Sequence, residues 1–333
     1  MTEELEEAKA RLNAEANAEW KRCGMDFWYW LKYVKTEQEE TGLILPFPRE
    51  YDYLERFNYE MDTQQKIVAL KARRLMVSWL CVLKCLWLAL YTGSGIPGTH
   101  DAFRGALLTV DELAAQYLME RQYKVWAHLP GWMKRRNPIS GERQTRIKFA
   151  NGATIQAFPM KREGPQGYGF TWVLFDEMSL QYAARTAWMG MLPSLGDKGK
   201  VVAVSTPNGH GNFFSDIWHN IHGYFKGITR ATIHWTGTSS YETAGKTEWF
   251  NPKVPAHTQE WFRAATAGMD KHAIARMYEL SFESYGGQPV WAAFNRETHT
   301  FEEGVILEDR PLLIGWDGGY HYPAATLWQV NSI

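Results

Sequence analysis

The stretch Thr171-Trp172-Val173-Leu174-Phe175-Asp176-Glu177 decides how this chain of 333 residues is read. Four bulky apolar residues, Trp172 to Phe175, run straight into two carboxylates. An unbroken apolar run of this length predicts a strand buried on both faces of a parallel sheet. Ligands of such sheets sit off the carboxyl ends of the strands. Asp176 and Glu177 thus stand where one acid can hold a Mg²⁺ shell and the next can orient water on a γ-phosphate. A strand ending in a solvated acidic turn is the other reading of the same residues.

Working outward, Gln64–Leu70 (QQKIVAL) predicts a strand that runs into Lys71-Ala72-Arg73-Arg74-Leu75-Met76-Val77-Ser78, with a buried helix over Leu75–Tyr91. Strand, polar turn and buried helix is the order of a phosphate-binding loop. The usual eight-position loop has Gly first and sixth, so that backbone N–H groups wrap the phosphates, then Lys and Ser or Thr. Here Ser78 fits, but Met76 replaces the second Gly, Val77 the Lys, and Lys71 opens the loop. Lys71, with Arg73 and Arg74, supplies the positive charge from the other side; a basic turn between strand and helix is the alternative. On the far side of the acidic pair, Lys200–Ser205 (KVVAVS) predicts another buried strand. It ends in Ser205-Thr206-Pro207-Asn208-Gly209, which offers hydroxyls and an amide to a phosphate or water, or is an ordinary Pro-Asn-Gly turn.

The remaining pattern alternates. Gly105–Val110 predicts a strand, Asp111–Trp126 a helix, and Asn151-Gly152 a hairpin between Arg146–Phe149 and Thr154–Phe158. Gln181–Met191 predicts a helix and Gly227–His234 a further strand. Strands alternating with helices argue an α/β, doubly wound core. Upstream, residues 1–20 predict a helix, Asp26–Val34 an aromatic packing stretch, and Arg49–Tyr59 an amphipathic helix. The pattern from Ala244 to Glu308 is helical with loops, and Arg310–Asp317 begins a new strand ending in an acid.

Composition sets bounds. The net charge of −1 predicts no polyanion partner by itself, yet ten Lys/Arg and one acid, Glu142, lie between Arg121 and Arg162. That stretch is a solvated surface or a phosphate-facing patch. Three cysteines, Cys23, Cys81 and Cys85, form no disulfide framework, and no signal peptide opens the chain, which fits an intracellular protein. Leu75–Tyr91 is the only segment with the length of a membrane span; with Ser78 and Lys84 inside it, a core helix is expected and no membrane partner.

Taken together, the motifs resemble the large terminase subunit of tailed bacteriophages, the ATP-driven DNA-packaging motor. The shared features are a phosphate loop with its basic residue moved to the front (Lys71 to Ser78), the apolar run ending Asp176-Glu177, and an Arg/Gly-rich loop before it (Lys161 to Gly167). The turn Ser205 to Gly209 follows in order, and then Gly315-Trp316-Asp317-Gly318-Gly319. The resemblance spans Gln64 to Gly319. It implies a P-loop NTPase of RecA-like type with a mostly parallel sheet flanked by helices, a small helical linker subdomain, and the first strand of an RNase H-like nuclease. The implied boundaries are 1–60 for an N-terminal helical region, 61–243 for the ATPase core, 244–308 for the linker and 309–333 for the nuclease start.

The resemblance also implies roles. Lys71, Arg73 and Arg74 bind ATP; Ser78 and Asp176 hold Mg²⁺; Glu177 positions the lytic water. Arg162 is a candidate arginine finger offered to a neighbouring subunit, Phe47 or Tyr51 stacks on adenine, and Ser205, Thr206 and Asn208 couple hydrolysis to movement. Asp317 is a nuclease metal ligand. No Asp or Glu follows it, so DNA cleavage is not expected. Implied partners are double-stranded DNA, the portal of the procapsid, the small terminase subunit and further copies in a ring, in the host cytoplasm. Another DNA-dependent ATPase or helicase, or a nucleotide-independent DNA-binding scaffold, are the alternatives. The expectation that carries the rest is that adjacent strands bring Lys71 and the acidic pair face to face.

Overall fold

A ten-stranded sheet carries the molecule, and the acid-terminated run is one of its two middle strands. The computed structural model describes residues 2–38, 41–93, 102–160, 165, 169–195, 199–283, 311–317 and 324–329. The N-terminal part comprises α1 (Thr2–Met25), α2 (Phe27–Trp30), the hairpin β1 (Lys35–Glu37) and β2 (Ile44–Pro46), and α3 (Asp52–Thr63). Next come β3 (Lys66–Lys71), α4 (Val77–Tyr91), β4 (Arg104–Thr109), α5 (Glu112–His128) and α6 (Gly131–Arg136). Three strands follow, β5 (Ile139–Arg143), β6 (Arg146–Phe149) and β7 (Thr154–Pro159). Then the chain makes β8 (Trp172–Asp176), α7 (Ala184–Met191), β9 (Lys200–Ser205), α8 (Phe213–Trp218) and β10 (Thr229–Ile233). A hairpin of β11 (Ser239–Thr243) and β12 (Lys246–Phe250) leads to α9 (Gln259–Thr266) and α10 (Lys271–Met277). Residues 1–286 form one compact unit and 287–333 a second, in which β13 (Leu313–Asp317) pairs antiparallel with β14 (Ala324–Trp328).

The sheet order is β12-β11-β10-β3-β9-β8-β4-β7-β6-β5. The six strands from β10 to β7 are parallel, with antiparallel pairs at both edges. All five residues of β8 are buried, as an unbroken apolar run requires of a strand covered on both faces. Helix α4 is apolar around its whole circumference and is buried at every described position except Ser78. It packs on β4, β7, β8 and β9 and between α3 and α5, so the span-length segment is a core helix. No helix among the described residues is long and apolar enough to cross a membrane. Lys84, inside α4, is accommodated because Asp62 (2.7 Å) and Asn58 (3.0 Å) of α3 meet its ammonium. The aromatic stretch after Asp26 is packing, as read: Phe27 lies against Trp87 and Trp30 is fully buried.

The structure departs from the sequence reading in two places that matter. β3 and β8 are not adjacent, because β9 lies between them and pairs with both. Lys246–Phe250, expected in a helical region, is strand β12, turned back on β11 at Ala244 and Gly245 (φ 52° and 79°). Two successive left-handed residues match a hairpin turn whose twist suits the flanking strands.

Removing a fully buried ring from β8 tests the assignment. Phe175→Ala is expected to destabilise by about 3–5 kcal/mol, whereas Leu180→Ala, at a position 47% exposed, stays within about 0.5 kcal/mol. Urea unfolding of both variants measures this, and equal effects would contradict a central β8.

Candidate active site

The turn from β3 to α4 builds the first wall. Arg74 and Met76 both adopt left-handed backbone (φ 61° and 56°), each at a cost of about 1–2 kcal/mol for a residue with a Cβ. Met76 stands at the loop position where Gly is usual, so the backbone keeps the conformation that Gly ordinarily permits. Surrounding elements hold it there. The Tyr53 hydroxyl of α3 donates to the Leu75 carbonyl (2.9 Å), and the Ala72 N–H donates to the Ile233 carbonyl (2.9 Å). The Arg73 N–H donates to the Met277 carbonyl (3.1 Å), and His257 Nε2 donates to the Arg74 carbonyl (2.8 Å).

The second wall is the end of β8. The Lys71 ammonium reaches across β9 to Glu177 Oε1 (2.8 Å), and the Ser78 hydroxyl donates to Asp176 Oδ1 (2.6 Å). Glu177 is itself left-handed (φ 56°), turning the chain immediately after the strand. The intervening β9 supports it from below: the Ser205 hydroxyl and the Thr206 N–H both point to Glu177 Oε2 (3.4 Å each). The single Ser205 hydroxyl proton has Ser179 Oγ as its nearer acceptor (2.7 Å).

The electrostatics follow from this packing. Burial and the neighbouring Glu177 push the Asp176 carboxyl above its ordinary range, against Lys71, Ser78 and Arg121. Burial acts on Glu177 in the same sense, but Lys71, the Thr206 N–H and Arg73 outweigh it and hold that carboxyl below the ordinary value. Lys71 is desolvated, yet Glu177 and Asp176 raise its affinity for the proton. Two neighbouring acids with environments that push them apart suit different tasks.

These groups line one cavity of about 890 Å³. Of the residues picked out from sequence, Lys71, Arg73, Arg74, Ser78, Asp176, Glu177 and Tyr51 line it. Ser205 and Thr206 touch it through Glu177, and Asn208 is a step away, its side-chain oxygen accepting from Arg276 (3.1 Å). Phe47 is corrected. It is 3% exposed and packs edge-on against Trp28, so its ring is core and offers no face to a base. Arg162 lies outside the described residues, and Asp317 ends β13 of the second unit.

The basic stretch does not form one surface. Arg121 is buried and lines the cavity, Lys124 pairs with Glu37 (2.5 Å) and Glu120, Lys134 donates to the Ala127 carbonyl, and Arg136 bonds Asn17. Arg143, Arg146 and Lys148 are exposed on β5 and β6. Sequence reasoning counted Arg121 only as part of the basic stretch and passed over His257 and Trp261; all three are in the cavity wall, and His257 and Trp261 stack at 3.5 Å. Nothing in their local sequence marks them.

Among the described residues no cluster of three or more His, Cys, Asp or Glu could cage a metal. Ser78 and Asp176 are hard oxygen donors in contact with each other, which fits Mg²⁺, an ion usually held by one or two carboxylates with substrate phosphates and water.

No protein-family model matches the sequence. Among solved structures, the chain is similar to the ATPase domain of the large terminase of Thermus phage P74-26. The identity is 15%, with 66% of this chain and 89% of that one covered and a TM-score of 0.43. It is also similar to the large terminase of the thermophilic bacteriophage D6E, at 11% identity over 84% of this chain and 64% of that one (TM-score 0.47). The third is the large terminase of bacteriophage HK97, at 12% over 64% and 44% (TM-score 0.46). The chain thus spans under two thirds of the D6E and HK97 proteins. The D6E terminase was also solved in complex with ATP-gamma-S and with ADP.

The pair Lys71–Glu177 has a signed pH consequence. A carboxyl held low in the folded state contributes stability that is present above its unfolded value, about 4.5, and lost as pH falls through its lowered value. Lys71→Met strands the Glu177 charge at neutral pH and lets it protonate at a higher pH. The stability gap between wild type and Lys71→Met, read from thermal unfolding, is therefore widest near pH 7 and narrows below about pH 4.5. A gap independent of pH would refute the pairing.

Proposed function

We propose that this chain is an ATPase that drives double-stranded DNA translocation, acting as the motor part of a phage large terminase subunit. The observation that carries the reading is the meeting of Lys71 with Glu177 and of Ser78 with Asp176 at the carboxyl end of a parallel sheet.

In this reading the phosphates sit against the first turn of α4, where free N–H groups and the helix dipole favour anions. Lys71, Arg73 and Arg74 supply the charge that the altered loop lacks at its seventh position. Ser78 and Asp176 would hold Mg²⁺, which when bound would neutralise charge on the phosphate oxygens. Lys71 pairs with Glu177. Arrival of the polyphosphate draws the ammonium away, and Glu177, supported by Ser205 and Thr206, is released to accept a proton from the attacking water. Asn208, bonded to Arg276 ahead of the Met277 carbonyl that holds the phosphate loop, passes the change to the helical segment.

The proposal extends to the assembly: a ring of copies on the procapsid portal with the small terminase subunit, in the host cytoplasm, and Arg162 serving a neighbouring copy. Asp317 would serve a nuclease module as a metal ligand. DNA is held by its phosphates, since packaging is indifferent to sequence.

Two measurements test the reading. Glu177→Gln is expected to lower ATP turnover by at least about 100-fold while ATP affinity changes only a few-fold; equal turnover in both proteins would place the base elsewhere. Reversing Arg143, Arg146 and Lys148 to Glu is expected to weaken DNA binding and flatten its salt dependence by about 0.9 per phosphate contact removed. An unchanged salt slope would remove this hairpin from the DNA-binding surface.

A further inference from the structure

Two chemically different groups of residues line the cavity. One is the charged set in which Lys71 meets Glu177 and Ser78 meets Asp176. The other is apolar and aromatic: Leu45, Pro48 and Tyr51 from the N-terminal part, Ala256, His257 and Trp261 from the C-terminal segment. The loop between β3 and α4 fixes where this second group stands. Next to Tyr51 on α3, the Tyr53 hydroxyl donates to the Leu75 carbonyl (2.9 Å), and His257 Nε2 donates to the Arg74 carbonyl (2.8 Å). The apolar group thus borders the middle of the loop, while the charged contacts are made at its two ends, Lys71 and Ser78. Glu50, exposed and beside Tyr51 in the same wall, adds a negative charge there that disfavours phosphate oxygens.

Trp261 is the largest side chain of this group. It lies in the first turn of α9, where the Thr258 hydroxyl accepts from its N–H (3.2 Å). Its ring is stacked on that of His257 with centroids 3.5 Å apart and planes 7° from parallel. Packing accounts for its neighbour better than for Trp261 itself. Phe262 stacks on Trp235 (4.5 Å) and meets Tyr278 edge-on (5.7 Å), which anchors α9 to the rest of the molecule. Trp261 meets the same Tyr278 at 6.1 Å, stays half-buried, and contributes to the cavity wall. With Phe47 withdrawn into the core, an aromatic ring from α9 stands where a planar, apolar part of a ligand can pack.

We propose that the nucleobase packs against the Trp261 indole, braced by its stack on His257, so that the C-terminal segment supplies a base-binding residue to the nucleotide site. Stacking engages the π-face that every base carries, so Trp261 rewards the presence of a base without choosing adenine over guanine. The proposal rests on the ATPase reading above and adds a residue to it.

Calorimetric titration of the purified chain with ATP-gamma-S, GTP-gamma-S and inorganic tripolyphosphate, each with Mg²⁺, tests it in wild type, Trp261→Leu and Trp261→Phe, with thermal unfolding of each alongside. In Trp261→Leu the affinity for ATP-gamma-S is expected to fall about tenfold, the size of one base–aromatic stack. GTP-gamma-S falls by the same factor, and tripolyphosphate, which has no base, changes less than about twofold. Trp261→Phe keeps a smaller ring and is expected to lose about threefold for the two nucleotides alone. Unchanged affinity for ATP-gamma-S, or equal losses for nucleotide and tripolyphosphate, overturns the proposal and leaves Trp261 a packing residue. If Trp261→Leu does not fold, the Trp261→Phe ratio of ATP-gamma-S to tripolyphosphate affinity decides alone, an unaltered ratio overturning it. Failure of wild type to bind any of the three overturns the ATPase reading itself, a result distinct from a loss confined to the base.

Discussion

The salt bridge between Lys71 and Glu177 is the contact on which the arrangement of this molecule turns. It joins residues 106 apart in sequence and two strands that never touch. It forms because six parallel strands bring their carboxyl ends to the same edge, where β9 separates β3 from β8 by one strand width. That spacing is enough for a lysine at the end of one strand to meet a glutamate just past the end of the other. It also places Ser205 and Thr206, at the end of β9, directly beneath the carboxylate. Were β3 and β8 neighbours, β9 would not lie between them with Ser205 and Thr206 against the acid. The intervening strand is what turns a pair contact into a site.

Burial makes the contact consequential. Asp176 and Glu177 are adjacent acids in a partly dehydrated wall, and two like charges so placed cannot both be comfortable. Lys71 settles the matter for Glu177, which stays ionised, while Asp176 stays raised by burial and by Glu177 in spite of Lys71, Ser78 and Arg121. In the proposed ATPase reading, a cation with a polyphosphate would relieve the same imbalance.

The turn from β3 to α4, proposed as a phosphate loop, shows how a backbone requirement outlives the residue that usually meets it. Its sixth position is left-handed although the residue is Met76, and Arg74 is left-handed as well. Such conformations persist where surrounding contacts over-determine them. Here the Tyr53 hydroxyl, the Ile233 and Met277 carbonyls and the His257 ring fix the loop from three directions. The segment from His257 to Met277 is therefore part of the site wall, and through Arg276 it is bonded to the turn that carries Asn208.

What the sequence determined by itself is whatever local pattern encodes. The unbroken run Trp172–Phe175 specifies a strand buried on both faces, the all-apolar α4 specifies a core helix, and Asn151-Gly152 specifies a hairpin. The acid pair, Lys71 and Ser78 were legible because each stands at a strand end or helix start, where ligands bind. Only the tertiary structure decided which strands are neighbours, since a buried parallel strand carries the same apolar signature wherever it lies in the sheet. It alone withdrew Phe47 into the core, dispersed the basic stretch and turned Arg121 inward, because a charged residue on an amphipathic helix reads as solvated until the packing of its neighbours is known. Local chemistry names the elements; burial and adjacency, which depend on the whole chain at once, assign their partners.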